Sequence, residues 1–534
     1  MKNITSLVFL LSLMISGCSQ EEIPANEASV SDGRIFTTEF EQNESRTYVE
    51  DGRYIRWAAD DRISLFDGST LNRQYKFDGK TGDSGGTFSM VDKEFGTGNL
   101  LTANYAVYPY SAGMTIKEDG VITTFLPTIR HYAVNSFGLG DNVMVARTHN
   151  VYDTSLKFKN LGGCFKLQLY GDDVRVKSIT LMGNNNEKVS GRAYITAAYD
   201  KAPVVSIEDN AFAKYVTLDC GEEGVKLGAS EEDATAFWIT LPPVTFEKGI
   251  TVMVTDANNQ VFIQSTQKEL VIERNIVKPM APVEVKQDIP YLTFMASGLQ
   301  KFSMSKAVET LEYSVDGGSW YELGTNTVEF GGELGVLRLR GKNLMGTAKD
   351  RYDYSTIEFS TSEAVACGGD IRTLLDYSNY SSVKTDDARF CRLFDYCSRL
   401  IQAPALPATD LADYCYYKMF NYCSSLTQAP DLPATDLADY CYYNMFNYCY
   451  NLTKAPDLPA TTLADYCYSY MFYVCTGLNS ITMLATDISA NNCLNNWLTV
   501  VSSSGTFIKA KEMTSLPEGS SGIPSGWTVK NYGE

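Results

Sequence analysis

Few residues in this chain could carry nucleophilic chemistry. Gly82-Asp83-Ser84-Gly85-Gly86 matches the G-x-S-x-G pattern that holds a serine nucleophile at a sharp strand-to-helix turn. Such a turn needs a helix after the serine, whereas Thr87-Phe88-Ser89-Met90 has the character of a strand. The same residues spell the G-D-S-G-G that surrounds the nucleophile in another class of serine enzymes, but there the histidine precedes the serine, whereas His131 and His149 both follow Ser84. We therefore interpret the pentapeptide as a glycine-rich turn.

Other catalytic and metal-binding patterns are missing. Two histidines cannot build a three-histidine zinc site, and the sequence contains no G-x-x-x-x-G-K-[ST] loop and no H-E-x-x-H. Candidate carboxylates recur with the repeats described below, which favours solvated surface positions: Asp410, Asp413, Asp436 and Asp439. A net charge of -19 disfavours nucleic acid as a partner. The sequence thus predicts a protein that is not an enzyme and takes no metal or cofactor.

Cys18 is the residue with the clearest predicted chemistry. Residues 1–17 have the short basic start and the apolar run of a signal peptide. Ile15-Ser16-Gly17-Cys18 resembles the bacterial lipobox, in which the cysteine thiol receives diacylglycerol. We expect lipidation at Cys18, a tether over residues 18–32, and attachment to outer-membrane lipid. Ser19-Gln20-Glu21-Glu22 resembles a surface-export signal of Bacteroidota lipoproteins, which implies a location on the cell exterior. The alternatives are an ordinary secretory signal and a merely solvated tether.

The C-terminal part is built from repeats. Copies of 26 residues begin at Cys397, Cys423 and Cys449, and a diverged copy begins at Cys475. This strict period predicts a solenoid with short helical turns over residues 370–504. Eight of the 13 cysteines recur at intervals of 26 residues in two rows, here called ladders: Cys397, Cys423, Cys449 and Cys475, and Cys415, Cys441, Cys467 and Cys493. Stacked positions about 4.8 Å apart with parallel side chains are poor disulfide geometry, so buried free thiols are favoured, with disulfides left open.

Tyrosines are the stronger functional signal in these repeats. Residues 391–475 hold 14 of the 34 tyrosines of the chain, and most of them recur at an interval of 26 residues. Rows of half-exposed tyrosines offer rigid contact area at low entropy cost, and would suit a protein or a sugar ligand. Alternatively, they only cover the convex side of the coils. The candidate ligand surface is Tyr414, Tyr416, Tyr417, Tyr422, Tyr440, Tyr442, Tyr443, Tyr448, Tyr466 and Tyr468.

The elements before the repeats are predicted to be strands. Short alternating apolar and polar runs separated by Gly, Asn, Asp and Pro fill the chain up to about residue 287. We expect tandem β-sandwiches, with one subdomain over 33–152 and a second over 153–287. Residues 289–366 have the hairpin signals of a small sandwich or Ig-like spacer. Its expected role is to hold the repeats away from the preceding subdomain. The fold class is therefore mainly β and multidomain.

Four ordered motifs resemble the fimbrillin-like proteins of Bacteroidota. They are Ser45-Arg46-Thr47, the segment from Arg56 to Phe66, Tyr105 to Tyr110, and Leu156 to Gly163. The resemblance implies a surface lipoprotein that builds, caps or anchors pili. In pilins of that family an N-terminal strand is removed at an arginine and another subunit's strand fills the groove. It therefore implies possible processing at Arg46 and pilin subunits as partners by strand addition, although an exposed strand arginine is the alternative for Arg46.

The repeats resemble BspA-like leucine-rich repeats. The shared pattern is C-x-x-L...L-P-A-T-x-L-A...C-x-x-x-M-F-x-x-C, and residues 505–534 resemble the capping end of such arrays. Combined with the lipobox, this order implies a lipid-anchored adhesin or a pilus tip or anchor protein that binds a host protein or glycan through its repeats. The alternative function is a surface glycan-binding lipoprotein of a nutrient-uptake system.

Overall fold

A computed structural model of the chain is mainly β and multidomain, as predicted. It describes residues 34–41, 49–50, 54–91, 96, 98–258, 260–286, 288–514 and 516–533. Cys18 and Arg46 lie outside the described residues, so their predicted roles stay predictions. The described parts hold 38 strands, one short α-helix and three 3-10 helices.

The first unit contains strands β1 to β26 and one 3-10 helix, Ala211–Lys214. The strands, in chain order, are Phe36–Phe40, Val49–Glu50, Tyr54–Ile55, Arg62–Phe66, Arg73–Phe77, Gly85–Met90, Tyr105–Tyr108, Thr115–Ile116, Val121–Leu126, Ile129–Ala133, Ser136–Phe137, Met144–Arg147, Ser155–Asn160, Gly163–Tyr170, Arg175–Gly183, Gly191–Thr196, Val204–Ile207, Tyr215–Asp219, Val225–Lys226, Thr235–Leu241, Val244–Phe246, Ile250–Asp256, Val261–Thr266, Leu270–Ile272, Val277–Pro279 and Val283–Glu284.

The first sheet closes into a seven-stranded barrel, in the order β1-β13-β12-β7-β4-β5-β6. Its interior is packed around Trp57, whose ring lies 5.1 Å from Phe88 and 5.3 Å from Phe158. The closure of this sheet was not part of the prediction, because alternation shows which side chains face a core but not whether the outer strands of a sheet meet. Within the barrel, β1 fills the position between β6 and β13 that a strand from another subunit would need.

The predicted boundary between residues 152 and 153 is wrong, because the two halves exchange strands. Strand β13 lies beyond the boundary but completes the first barrel. Strands β9 and β10 lie before it but pair with β16 and β18 of the second half. The polar residues near 150 form a tight turn, in which the Asn150 side chain accepts from the backbone N–H groups of Tyr152 and Asp153. A turn signal does not identify the partner of the strand that follows it.

The next region is a small sandwich of two sheets. Strands β27 to β34 are Leu292–Ala296, Gln300–Met304, Glu312–Val315, Tyr321–Glu322, Val328–Phe330, Leu337–Arg340, Ile357–Phe359 and Val365–Gly368. A 3-10 helix spans Gly332–Leu334, and helix α1, Thr373–Asp376, follows the sandwich together with a 3-10 helix at Tyr380–Ser382. Strand β35, Leu400–Gln402, belongs to the first repeat but pairs in parallel with β34. One hydrophobic core therefore runs from the sandwich through the repeats.

The repeats stack as parallel coils, and each coil contains a segment of consecutive tight turns. We call residues 413–423 and their equivalents at intervals of 26 residues the turn segments. In the first, the N–H of Tyr416 donates to the carbonyl of Cys441 in the next coil, while the N–H of Tyr417 donates three residues back to Tyr414. Bonds to the next coil alternate with bonds within the same coil, so each backbone N–H of residues 414–423 has an acceptor. Every fourth residue has positive φ, as at Tyr414, Lys418 and Tyr422. These turns replace the predicted short helical turns.

The C-terminal end of the stack is covered by three parallel strands, β36 to β38, which are Ser480–Met483, Thr506–Lys509 and Thr528–Asn531. The indole N–H of Trp497 donates to the Gly522 carbonyl at 3.0 Å, and that of Trp527 donates to the Ser502 carbonyl at 2.8 Å. Residues 505–533 therefore cover the apolar end of the last coil, which is what a solenoid cap must do.

Candidate ligand-binding face

The turn segments divide the predicted tyrosine surface into one buried row and three outer rows. Because the backbone conformation repeats every fourth residue, Cys415, Met419 and Cys423 point into the core, and so do Tyr416 and Phe420. The tyrosines at the intervening positions point outward and are half-buried. Each row consists of residues 26 apart or nearly so, and lies along the stack.

The buried row contradicts part of the predicted ligand surface. Tyr416, Tyr442 and Tyr468 are each only 1% exposed. Their rings stack on one another with centroids 5.9 and 6.0 Å apart, and the row continues to Trp497 at 6.4 Å. Burial raises the pKa of all three phenols well above the usual value. These tyrosines are core residues, because the four-residue period of the turns places them beside the core cysteines.

The outer rows present ring edges rather than ring faces. In row 1, Tyr440 lies 4.9 Å from Tyr414 and 4.5 Å from Tyr466, with the planes within 15° of parallel. Row 2 consists of Tyr417, Tyr443 and Tyr470, and the ring of Tyr443 lies 5.2 Å from that of Tyr417 and, tilted, 6.0 Å from that of Tyr470. In these rows each middle ring is stacked or tilted against a neighbour on both sides.

Row 3 is the tightest of the outer rows. Tyr422 is stacked between Tyr396 at 4.7 Å and Tyr448 at 4.3 Å. A sugar stacks on the free face of an aromatic ring, and such faces are taken in the middle of every row. The surface left for a ligand consists of ring edges and hydroxyl groups.

Cations extend two of the rows toward the sandwich. The guanidinium of Arg351 lies over the rings of Tyr352 and Tyr414, at 4.7 and 5.1 Å from the centroids. Arg392 similarly lies over Tyr354 and Tyr417, at 5.0 and 5.9 Å. Such contacts are attractive because the ring face is the negative end of its quadrupole. The loop around residues 350–354 therefore continues the tyrosine face beyond the repeats.

Asparagines of the last coil lie at the C-terminal ends of rows 1 and 2. The side-chain amides of Asn491 and Asn492 lie 3.4 and 2.9 Å from the Tyr466 hydroxyl, to which they donate. Asn496 donates to the Tyr470 hydroxyl at 3.1 Å. Asn492 occupies the row 1 position of the last coil, 26 residues after Tyr466, with the same positive φ. The array itself thus shows that asparagine fits this backbone position without a ring.

The opposite side of the stack is not free for an external ligand, because it is docked on the first unit. Ile401 is 1% exposed in an apolar cluster with Met182 and Met253 of strands β15 and β22. The Thr180 hydroxyl donates to the Gln402 side chain at 2.6 Å. Lys177 pairs with Asp431, and Lys454 pairs with Glu222 at 3.0 Å. The expectation that the sandwich holds the repeats away from the preceding subdomain is therefore wrong, since a buried apolar patch joins them.

The recurring carboxylates hold neighbouring coils together. Asp410, Asp413, Asp436 and Asp439 are exposed. The Asp413 carboxylate accepts the backbone N–H of Asp439 at 3.1 Å, and the Asp439 carboxylate accepts that of Asp465 at the same distance. Asp413 and Asp439 are thus solvated and bind backbone at the start of the next turn segment.

The ladder cysteines are free thiols in the structure. All eight are buried. The Cys423 Sγ donates to the Phe394 carbonyl at 3.1 Å, and Cys449 and Cys475 repeat this bond to Phe420 and Phe446 at 3.2 and 2.9 Å. Burial raises the pKa of the Cys475 thiol to about 12, so the reactive thiolate is suppressed.

The described residues also show where the remaining candidate groups lie. Ser84 sits in a turn before β6, His131 lies 3.5 Å from Asp141, and the His149 ring packs on Tyr199. No group of three or more His, Cys, Asp or Glu that could hold a metal occurs in the described part of the chain. Within the same ranges, no helix is both long and apolar enough to cross a membrane.

Several residues of this face were not predicted from the sequence, among them Tyr352, Tyr354, Tyr396 and Arg392. Tyr396 precedes Tyr422 by 26 residues, so the repeat alignment contains the signal for it. Arg392 stands at the same register as Lys418. The two tyrosines of the sandwich loop have no such signal, because only the fold brings that loop beside the first coil.

Comparison with known proteins gives weak similarities. No family model and no curated protein matches the chain. Among solved structures it is similar to a protein of Bacteroides ovatus provisionally assigned to cell adhesion, with 14% identity, 48% of this chain and 93% of that one covered, and a TM-score of 0.29. It is similar to a fimbrial protein of Bacteroides ovatus, with 12% identity, coverage of 49% and 52%, and a TM-score of 0.20.

A third similarity is to a leucine-rich repeat protein from Bacteroides thetaiotaomicron. It has 10% identity, covers 48% of this chain and 27% of that one, and has a TM-score of 0.14. Similarity at this level assigns neither a family nor a ligand to the chain.

Proposed function

We propose that the chain is a lipid-anchored adhesin or pilus-associated protein of the cell surface that binds a protein ligand through the outer tyrosine rows. The observation that carries this proposal is the contrast between the two sides of the coil stack. One side is docked on the chain's own first unit, while the other presents rows of tyrosine edges to solvent.

The chemistry of the tyrosine face suits a flat protein surface. Tyrosines held in stacks have little side-chain entropy left to lose on binding. Their hydroxyls supply hydrogen bonds and their edges supply apolar contact. Because the middle ring faces are covered by neighbouring rings, the rows are poorly suited to stacking against sugars, and this favours the adhesin over the glycan-uptake alternative.

Variants that mimic the last coil test this proposal. Tyr414→Asn, Tyr440→Asn and Tyr466→Asn together remove row 1 but keep a residue type that the array already uses at Asn492, where φ is also positive. We expect cells carrying this triple variant to lose adhesion to surfaces coated with host extracellular-matrix proteins. Tyr152→Asn, at a fully separate and 89% exposed tyrosine, is the control.

Surface display is tested by protease treatment of intact cells. We expect the added protease to remove the repeats from intact cells. Adhesion that is unchanged in the triple variant, or repeats that survive the protease, would contradict the proposal.

A further inference from the structure

A groove lies between the sandwich and the first coil, at the end of row 3. Its walls come from the loop before β33, from β33 itself and from residues 392–399, and its volume is about 960 Å³. This volume is at the upper end of what small-ligand sites have, roughly 300 to 1,000 Å³. Tyr396 stands at the rim of the groove.

Tyr396 differs from the other tyrosines of its row because it has a free face. One face of its ring is stacked 4.7 Å from Tyr422, within 6° of parallel. No ring or cation of the described residues covers the other face, and the residue is 65% exposed. Its backbone is fixed, since its N–H donates to the Asn421 carbonyl at 2.8 Å in the turn segment. The groove thus has a rigid, exposed aromatic platform.

The groove wall supplies polar groups of both signs. The Arg392 Nε is buried and has no hydrogen-bond partner among the described residues. Its Nη1 lies 3.2 Å from Asp395, which also accepts from Asn421 at 2.7 Å. Ser398 and Glu358 are exposed in the same wall, together with the half-exposed Arg399.

Most charged groups of the groove wall are paired. Lys306 pairs with Asp353 and Arg392 with Asp395, which leaves Arg399 and Glu358 with opposite signs. The wall therefore holds charges of both signs, which does not favour a strongly charged ligand. An aromatic platform beside several donors and acceptors suits a ligand with an apolar C–H face and many hydroxyl groups.

We propose that this groove binds a neutral oligosaccharide, with a pyranose C–H face on the free side of Tyr396 and its hydroxyls bonded to Arg392, Ser398 and Glu358. The site shares Tyr396 and Arg392 with the end of the tyrosine face, but it uses the ring face of Tyr396 and not the ring edges assigned to a protein ligand. It would let the same stack hold a glycan at its sandwich end while a protein surface lies along the rows.

The test uses the full chain on an array of neutral and acidic oligosaccharides, followed by calorimetric titration of the strongest neutral binder. Tyr396→Asn removes the platform and keeps a residue type suited to positive φ, and we expect it to weaken binding about tenfold or more. Tyr396→Phe keeps the ring face and should bind within about twofold of the wild type. Tyr321→Ala, at a 59% exposed tyrosine of the sandwich, is the matched control and should bind unchanged.

Three results would overturn the proposal: no neutral saccharide bound, acidic saccharides or peptides bound in its place, or equal affinities for Tyr396→Asn and Tyr321→Ala. The triple variant of row 1 separates this site from the proposed adhesion face. It should lose adhesion and keep saccharide binding, so either proposal can fail while the other stands.

Discussion

Ile401 is the position at which docking of the repeats on the first unit can be tested most sharply. In strand β35, Leu400 points into the coil core while Ile401 points into the cluster with Met182 and Met253. Replacement of a fully buried isoleucine by alanine costs about 2–5 kcal/mol. If this substitution destabilises the docked state by about 3 kcal/mol, the fraction of undocked molecules rises roughly a hundredfold. The coil itself keeps its core.

Peroxide oxidation of Met182 and Met253, followed by mass spectrometry, measures this opening. Both methionines are 0% exposed, and oxidation to the sulfoxide requires access to the sulfur. We expect Ile401→Ala to oxidise at both positions much faster than the wild type. Met144 in the barrel, also 0% exposed, should not change.

Thr453→Ala is the matched control for this experiment. Thr453 stands two repeats after Ile401 in the same register but is exposed, so its replacement should change stability by less than about 0.5 kcal/mol. If Met182 and Met253 oxidise equally fast in Ile401→Ala and Thr453→Ala, the docking described above is wrong.

Three further predictions concern titration, thiol chemistry and the cap. Burial raises the pKa of Asp61 to about 6. The folded state therefore favours the protonated carboxyl, and its contribution to the free energy of unfolding is complete below about pH 4. As the pH rises through about 6 this contribution is lost, by about 3 kcal/mol in all. Asp61→Asn should therefore flatten the pH dependence of the melting temperature between pH 4 and 6, and an unchanged slope would refute this. The eight ladder cysteines should resist an alkylating reagent at pH 8 in the native protein and react fully in guanidinium, as read by mass spectrometry, because burial suppresses their thiolates. Rapid native labelling would contradict it. Trp527 is 7% exposed and covers the end of the stack, so Trp527→Ala should destabilise the last coil by about 3–5 kcal/mol. The expected sign is faster proteolysis after residue 493. Resistance equal to that of the wild type would show that the cap is dispensable.

Patterns that repeat locally were predictable from the sequence, and pairings between distant segments were not. Alternation identified strands such as β13 and β14, and the 26-residue period identified the coils and their buried cysteines. Neither signal shows that β1 closes a barrel or that β9 pairs with β16, because strand partners are chosen by the fold.

The tyrosine face was only partly predictable for a related reason. Tyr416 and Tyr417 are adjacent and identical in type, yet one is core and the other is surface. The backbone conformation of the turn segments repeats every four residues, and this period, which is neither that of a helix nor that of a strand, places one side chain inside and the other outside. The contribution of Tyr352 and Tyr354 needs a sandwich loop to lie beside the first coil, and no pattern within either segment encodes that.

Nitration of tyrosines in the free and the ligand-bound chain shows whether the outer tyrosine rows form the binding face. The ligand is the matrix protein that supports adhesion, and the modified positions are read by mass spectrometry. Binding through the outer rows predicts protection of Tyr417, Tyr422, Tyr443 and Tyr448, with Tyr152 and Tyr321 nitrated as in the free chain. Equal nitration of the four row positions with and without ligand would contradict the assignment of the tyrosine rows as the binding face.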